Sequence, residues 1–304
     1  MKILVTGGAG FIGSNVVEAL VRLGHEVVVL DNFSLGSMDN LASVKDKITV
    51  IKGDIRDEKT VMNATKGVEY IFNEAAASSS PMFMTDLRNS VAVNIDGFIN
   101  VLNAARKNDA AVVYASTSSM YGNNPPPLRE DMKVVSPNFY AATKVAGEDL
   151  ARVFFEQYGT VTIGLRYMSV YGPRERSKGI FANMVSQFLW AMQKNEQPVI
   201  YGDGKQTRDF VFVKDVVSAH LLAMKLKKAG EIFNVGTGKA TSLNQLVDIL
   251  NKVLGKNIKA KYIEMPVKNY INTQLADITK ARKMLGYEPK YNLEDGVKII
   301  LSSC

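Results

Sequence analysis

Short apolar, β-branched runs alternate with longer amphipathic stretches through the first half of the chain. Lys2-Ile3-Leu4-Val5 is too short for a helix and reads as a buried strand, which runs through Thr6–Gly13 into a helical pattern over 14–23. Val27-Val28-Val29-Leu30 form a second strand ending at Asp31, and a third over 48–52 ends at Gly53-Asp54-Ile55. Helical spacing covers 57–64, and a strand over 69–73 leads into Glu74 and three alanines. Leu87, Val91, Ile95, Phe98 and Leu102 recur at helical spacing and predict one long helix over 85–108. A strand over 111–115 follows, then the hydroxyl-rich Ser116–Gly122 turn, a helix over 140–158 closed by Gly159, and a strand over 161–165. This alternation predicts an α/β fold, a doubly wound parallel sheet with helices on both faces and ligands at the carboxyl ends of its strands. Beyond Arg166 the alternation weakens. Residues 1–166 are read as a cofactor-binding domain of the Rossmann type and 167–304 mainly as a smaller substrate lobe, with 208–215 and 232–235 (210–235 overall) returning to the main sheet.

The turn after the first strand carries the first candidate chemistry. Gly7 lets the chain turn, Gly10 offers no Cβ to an approaching diphosphate, and Gly13 permits close packing of the following helix, whose N-terminal N–H groups suit an anion. Phe11 and Ile12 complete the turn, one residue longer than the common G-x-G-x-x-G. Asp31, about twenty residues on, is placed to accept the ribose hydroxyls of an adenosine. Its charge repels a 2′-phosphate and no arginine follows it through Asn32–Gly36, so NAD is expected rather than NADP.

Composition changes this picture little. The chain has 304 residues, 46% of them hydrophobic, which suits one large domain or a domain with a lobe. No stretch approaches the roughly 20 uninterrupted apolar residues of a membrane span. Met1 leads straight into a strand and the single cysteine is Cys304, so no leader, no disulfide and a cytoplasmic setting are expected. The net charge of +7 is spread along the chain and favours phosphorylated metabolites over nucleic acid. His25 and His220 lie far apart without cysteine partners, and no metal site is expected.

Tyr140 and Lys144 stand at i and i+4, on one face of a helix. Lowering a phenol by ~3 pH units needs about 4 kcal/mol, close to what a cation ~4 Å away supplies at an effective dielectric of ~20. Tyr140 is therefore expected to work as an ionised base only with Lys144 and an oxidised nicotinamide both present. Thr117, ending the fifth strand, would lie beside it.

Thr6–Gly13, Asp31, Asp54-Ile55, Ser116–Gly122, Tyr140-x-x-x-Lys144, Arg166-Tyr167, and Tyr201-Gly202-Asp203-Gly204 through Arg208-Asp209-Phe210 together resemble the extended short-chain dehydrogenase/reductases, specifically the NAD-dependent nucleotide-sugar epimerase/dehydratase family. The resemblance covers nearly the whole chain. It implies that Tyr140 takes a sugar hydroxyl proton, that Lys144 holds the nicotinamide ribose, and that Thr117 bonds or relays that proton. It also implies that Asp54 and Ile55 flank the adenine, that Ala75, Ala76 and Ala77 lie under the cofactor with Tyr167 nearby, and that Asn94 braces the strand ends. Ser118 and Ser169 would face the sugar, Val199 and Tyr201 the nucleotide base, and Arg208 the diphosphate, with Lys268 standing in for a second cation. Dehydratases of this family follow the threonine with Asp-Glu and decarboxylating members place a glutamate in the second position, whereas this chain has Ser118-Ser119. The epimerase/reductases use a cysteine near this loop, and Cys304 is far from it in sequence. What remains is 4-epimerisation; the resemblance implies a UDP-sugar, first UDP-glucose/UDP-galactose, and, with the apolar helices over 85–108 and 140–158, a homodimer. UDP-glucuronate, UDP-N-acetylglucosamine, or a dehydrogenase/reductase with exchangeable NAD are the alternatives.

Overall fold

The computed structural model describes residues 1–226, 230–265 and 270–302. Its first half runs β1 (Lys2–Thr6), α1 (Phe11–Arg22), β2 (Glu26–Asp31), β3 (Ile48–Lys52), α2 (Glu58–Ala64), β4 (Tyr70–Asn73), α3 (Ser80–Thr85), α4 (Leu87–Asn94), α5 (Asp96–Asn108), β5 (Ala111–Thr117), α6 (Phe139–Tyr158) and β6 (Thr162–Tyr167). The second half runs β7 (Ser169–Tyr171), α7 (Met184–Gln193), β8 (Val199–Tyr201), β9 (Thr207–Arg208), β10 (Phe210–Phe212), α8 (Val213–Ala223), β11 (Glu231–Val235), β12 (Thr241–Ser242), α9 (Leu243–Leu254), β13 (Lys261–Ile263), α10 (Thr279–Leu285) and α11 (Leu293–Ser302).

Seven parallel strands form the central sheet in the order β11-β6-β5-β4-β1-β2-β3. Ile3 and Val5 of β1 join one apolar layer with Val16, Val17 and Leu20 of α1. Leu4, between them, joins the opposite layer with Phe98, Val101 and Leu102 of α5. A strand buried on both faces needs no polar positions, which is why β1 and β2 read as unbroken apolar runs. The strand order reverses between β1 and β4, and a cleft opens at the carboxyl ends there. A separate core in the second half joins Phe188 and Leu189 of α7, Phe210 and Phe212 of β10, Leu246 and Leu250 of α9 and Val297 of α11.

Two elements differ from the sequence-based expectation. The long helix over 85–108 is two: Asp86, just after α3, leaves helical backbone and caps α4 through the N–H of Asn89 (3.0 Å), and a bend at Ile95 separates α4 from α5. The apolar spacing from Leu87 to Leu102 stays in phase across the bend at Ile95, so periodicity alone does not show it. The segment 208–215 does not enter the main sheet. Phe210–Phe212 pair in parallel with Ser169–Tyr171, and the chain rejoins the seven strands only at Glu231–Val235, beside β6. Strand β7 lies just beyond β6, past Met168, and offers β10 an open edge.

The stretch after β7 is fastened back onto the first helix. Asn15 donates to the carbonyl of Pro173 (3.3 Å), Arg174 donates to the carbonyl of Ser14 (3.0 Å) and pairs with Glu18, and Asn40 reaches Ser177 (3.4 Å). Arg174 has a φ of 73°. Left-handed backbone at a non-glycine residue costs about 1 kcal/mol, which these contacts offset.

Gly7, at φ 65°, makes the turn after β1, and a Cβ there would stand 2.6 Å from the backbone nitrogen of Ala75. A Cβ on Gly13 would stand 2.2 Å from the carbonyl oxygen of Gly7. The close approach that Gly13 permits is therefore to the turn itself, and the clash is with backbone that cannot swing aside. Gly13→Ala is expected to destabilise the chain by about 1–3 kcal/mol and to strip bound dinucleotide. Thermal unfolding and nucleotide content after gel filtration measure the two effects.

Candidate active site

The cleft has a volume of about 570 Å³ and runs from Asp54 and Ile55, beyond β3, across the glycine turn to Thr117, Tyr140 and Lys144. Helix α1 points its N-terminus into it. Gly10 is its N-cap and supplies no capping side chain, and no acidic residue occupies the first turn. Free N–H groups at a cleft wall, beside a turn no Cβ could enter, fit a diphosphate.

Asp31 ends β2 with its carboxylate buried. One oxygen accepts the N–H of Ala9 (2.9 Å) and the other that of Phe33 (2.7 Å). Desolvation raises its pKa and these two bonds oppose the rise. Asp31 thus holds the glycine turn in place while lining the cleft. Asp54 is gripped by the Arg56 guanidinium on both oxygens (2.9 and 2.8 Å) and also accepts from Asn32 (2.9 Å), which hold its pKa far below the usual carboxylate range.

At the other end, Thr117 hydrogen-bonds the Tyr140 phenol and its hydroxyl accepts the N–H of Ser119 (3.1 Å). Lys144 donates to the carbonyl of Ala115 (3.0 Å). Desolvation raises the Tyr140 phenol, the Thr117 bond opposes this, and the charge of Glu74 adds to it. Desolvation brings Lys144 down to about 8, with Glu74 and Glu148 opposing. The phenol of the chain alone is therefore protonated at neutral pH. Ionisation was expected to need two cations, and the one present is turned to a backbone carbonyl.

Helix α6 places these groups at successive turns: Tyr140, Lys144 and then Glu148. Its N-cap Asn138 accepts the N–H of Ala141 (2.9 Å), and Gly159 closes the other end at φ 72°. Glu148 receives Arg166 of β6 on both oxygens (2.9 and 2.7 Å) and Ser116 of β5 (2.5 Å), fixing the helix to two strands. Asn94 lies behind the wall rather than in it. Its amide spans the N–H and carbonyl of Ala77 (2.8 and 3.2 Å) and reaches Thr143 of α6 (2.9 Å).

Of the positions singled out in the sequence, the cleft brings together Gly7, Gly10, Phe11, Ile12, Gly13, Asp31, Asn32, Asp54, Ile55, Ala75, Ala76, Ala77, Thr117, Ser118, Tyr140, Lys144, Tyr167 and Ser169. It does not include Val199 and Tyr201, 43% and 41% exposed on β8, or Arg208, which is buried with its guanidinium 5.2 Å from the Tyr270 ring centre. Lys268 lies outside the described residues. Sequence reasoning missed Arg56, Lys178 and Gln274, which also line the cleft, Gln274 donating to Ser118 (3.1 Å). It also missed the pairing of Glu74 with Tyr167 (2.8 Å) and His220 (2.9 Å). The Asp54-x-Arg56 spacing could have revealed the first; the others join segments too distant for any local pattern. The Ser79 hydroxyl is buried at the cleft with no hydrogen-bond partner among the described residues.

An uncapped helix over a glycine turn, an acidic residue ending the second strand and a tyrosine one helical turn before a lysine define a dinucleotide-dependent enzyme. The chain belongs to the NAD dependent epimerase/dehydratase family, whose model matches residues 3–236, and its cofactor is NAD. It is 37% identical to UDP-glucose 4-epimerase of Mycolicibacterium smegmatis over 98% of this chain and 96% of that protein. It superposes on the crystal structure of UDP-glucose 4-epimerase from Thermotoga maritima with UDP-glucose at a TM-score of 0.94, with 35% identity over 99% of this chain and 98% of the other. The UDP-glucuronic acid 4-epimerase of Bacillus cereus, solved with UDP-glucuronic acid and NAD, matches at a TM-score of 0.92, 29% identity and full coverage of both chains (100% each). Among the described residues, no helix is long and apolar enough to cross a membrane.

Proposed function

We propose that this chain is an isomerase that inverts C4 of a UDP-sugar, with UDP-glucose and UDP-galactose as the first substrate pair. The observation that carries the reading is the buried Tyr140 phenol beside Thr117 at the reacting end of the cleft, with the hydroxyls of Ser118 and Ser119 where an eliminating enzyme needs carboxylates. Among the described residues the cleft's carboxylates are Asp31 and Asp54, on the β2–β3 side, and Glu74, which is engaged by Tyr167 and His220.

Bound NAD supplies an acceptor and then a donor for the C4 hydrogen with its electron pair. Tyr140 accepts the C4 hydroxyl proton and returns it, and Thr117 holds the phenolic oxygen in line. Lys144 lends its ammonium to the nicotinamide ribose and to the phenolate. The Gly7–Gly13 turn with α1 holds the diphosphate, Asp31 the adenosine ribose, and Asp54 with Ile55 the adenine edge. Arg56 is committed to Asp54 on both forks, so it leaves Asp31 to reject a 2′-phosphate. Ser118, Ser169 and the unpartnered Ser79 face the sugar, while Val199, Tyr201, Arg208 and Lys268 serve the uridine diphosphate. Residues 1–166 with the return at Glu231–Val235 act as the cofactor unit and the remainder of 167–304 as the substrate lobe. The half-buried Val91, Ile95 and Ile99 with Val145 and Leu150 supply a homodimer face, which light scattering on the purified protein tests.

Purified protein given UDP-galactose without added cofactor is expected to form UDP-glucose, with NAD retained through gel filtration. A panel of UDP-glucose, UDP-N-acetylglucosamine and UDP-glucuronate ranks the sugars. Stoichiometric reduction of added NAD without an epimer would establish a dehydrogenase instead. Because the Lys144 ammonium is held down to about 8, its charge is present below that pH and lost above it. NAD binding by stripped protein should weaken as pH rises past about 8, by at most about tenfold per pH unit, which a fluorescence titration reads directly.

A further inference from the structure

Glu74 follows β4 directly and lines the cleft, yet the proposed chemistry gives it no task. Its side chain is 4% exposed, and an isolated carboxylate at such a depth carries a desolvation penalty of several kcal/mol. The compensation is a triangle of polar atoms. Glu74 Oε1 lies 2.8 Å from the Tyr167 hydroxyl and 2.9 Å from His220 Nε2, and those two lie 2.8 Å from each other. His220 Nδ1 stands 2.8 Å from the carbonyl of Val216, which can only accept, so that nitrogen carries a hydrogen. The tyrosine brings one proton to the triangle. The contact between Nε2 and Oε1 needs another, shared by the histidine and the carboxylate. The pair is thus neutral as a whole but polarised. The carboxylate end faces the cleft, and the imidazole sits fully buried behind it, between the Phe72 and Tyr167 rings.

The groups facing this carboxylate are Tyr167 of β6 and His220 of α8 in contact, with Tyr140 and Lys144 of α6 across the cleft. Glu148 and Arg166 are paired to each other beyond Lys144. The charge of Glu74 reaches both Tyr140 and Lys144, favouring the protonated form of each. A charge felt by those two residues is also felt by whatever ring they hold.

We propose that Glu74, backed by His220, sets the balance between oxidised and reduced cofactor in the loaded enzyme, its carboxylate favouring the oxidised nicotinamide. This rests on the NAD-dependent reading above. The half-reaction breaks the sugar C4–H bond, passing that hydrogen and both electrons to the cofactor, and breaks the C4 O–H bond, passing the proton to Tyr140. The cofactor ring loses its positive charge in the process, so the negative end of the pair, turned toward the cleft, opposes reduction and limits the time the enzyme spends as reduced cofactor with a keto sugar able to escape. Tyr167, which bonds the carboxylate and lines the cleft, is the positioning residue between the two.

The experiment uses loaded enzyme at saturating UDP-galactose and reads the absorbance of reduced nicotinamide at equilibrium. Glu74→Gln keeps the shape and removes the charge, and the reduced fraction should rise about tenfold. His220→Gln can still donate to the carboxylate but removes the opposing positive end, and the reduced fraction should fall below that of the unaltered enzyme. Glu74→Asp should restore a value near the original. A merely structural role would move the first two variants in the same direction, and that result, or an unchanged reduced fraction in both, overturns the proposal. Should Glu74→Gln fail to fold, a rise in the reduced fraction of His220→Gln is sufficient to overturn it. Unaltered enzyme that holds no NAD or converts no UDP-sugar would defeat the functional reading instead, before any variant is compared.

Discussion

Phenylalanine at position 140 is expected to lower turnover about 10²- to 10⁴-fold while leaving the bound NAD in place. The substitution removes one oxygen. The ring stays packed against Phe83, whose centroid lies 6.0 Å away, and the backbone of α6 keeps its Asn138 cap. What disappears is the atom that Thr117 orients and that receives the sugar proton. Binding of substrate should change little, so the loss falls on kcat rather than KM. Unchanged turnover in Tyr140→Phe would remove Tyr140 from the chemistry, and the 4-epimerase reading with it. Thr117→Val should share the defect to a smaller degree, because it withdraws the bond that opposes the phenol's high pKa and leaves the proton acceptor itself.

The largest effect on stability is expected at Glu148. Its carboxylate and the Arg166 guanidinium are 8% and 6% exposed, and Arg166 also donates to the Tyr121 hydroxyl (2.8 Å). Glu148→Ala leaves that guanidinium buried without a counter-charge, a change that costs about 3–5 kcal/mol. Chemical denaturation measures it. Replacing both partners together, Glu148→Leu with Arg166→Met, should recover much of the loss, since no buried charge then remains. A double variant as unstable as the single would show that the cost lies in packing rather than in the orphaned cation. Activity offers a second reading. Glu148 stands one turn beyond Lys144, so the double variant, even when stable, is expected to hold the catalytic helix less firmly against β5 and β6.

Much of this was legible from local pattern alone. Strands buried on both faces announce themselves as apolar runs, and the residues just after each run fall at the cleft because a parallel sheet gathers its carboxyl ends on one edge. That is why Gly7, Asp31, Asp54, Ala75 and Thr117 could be placed together from sequence. What was not legible depends on contacts across the chain. His220 lies 146 positions from Glu74, with nothing in its own helix to mark a partner so distant. Arg56 stands twenty-five positions beyond Asp31, past β3, and only the fold brings it to the same cleft. The apolar positions from Leu87 to Leu102 keep step through the bend at Ile95, while Asp86 with Asn89 three residues later carries the signature of a fresh start. Val199, Tyr201 and Arg208 lie outside the cleft walls, in a part of the chain built from short paired strands whose partners no periodicity identifies.

The tether from Pro173–Ser177 to the first helix has a consequence for traffic. Swinging the smaller half outward would first have to tear Arg174 from Glu18 and Asn15 from Pro173, and that pull would be delivered to the very helix whose tip is proposed to hold the diphosphate. On the proposed reading, wide opening and cofactor loss become one event. On that reading the sugar nucleotide exchanges without the tether parting, while the dinucleotide remains aboard.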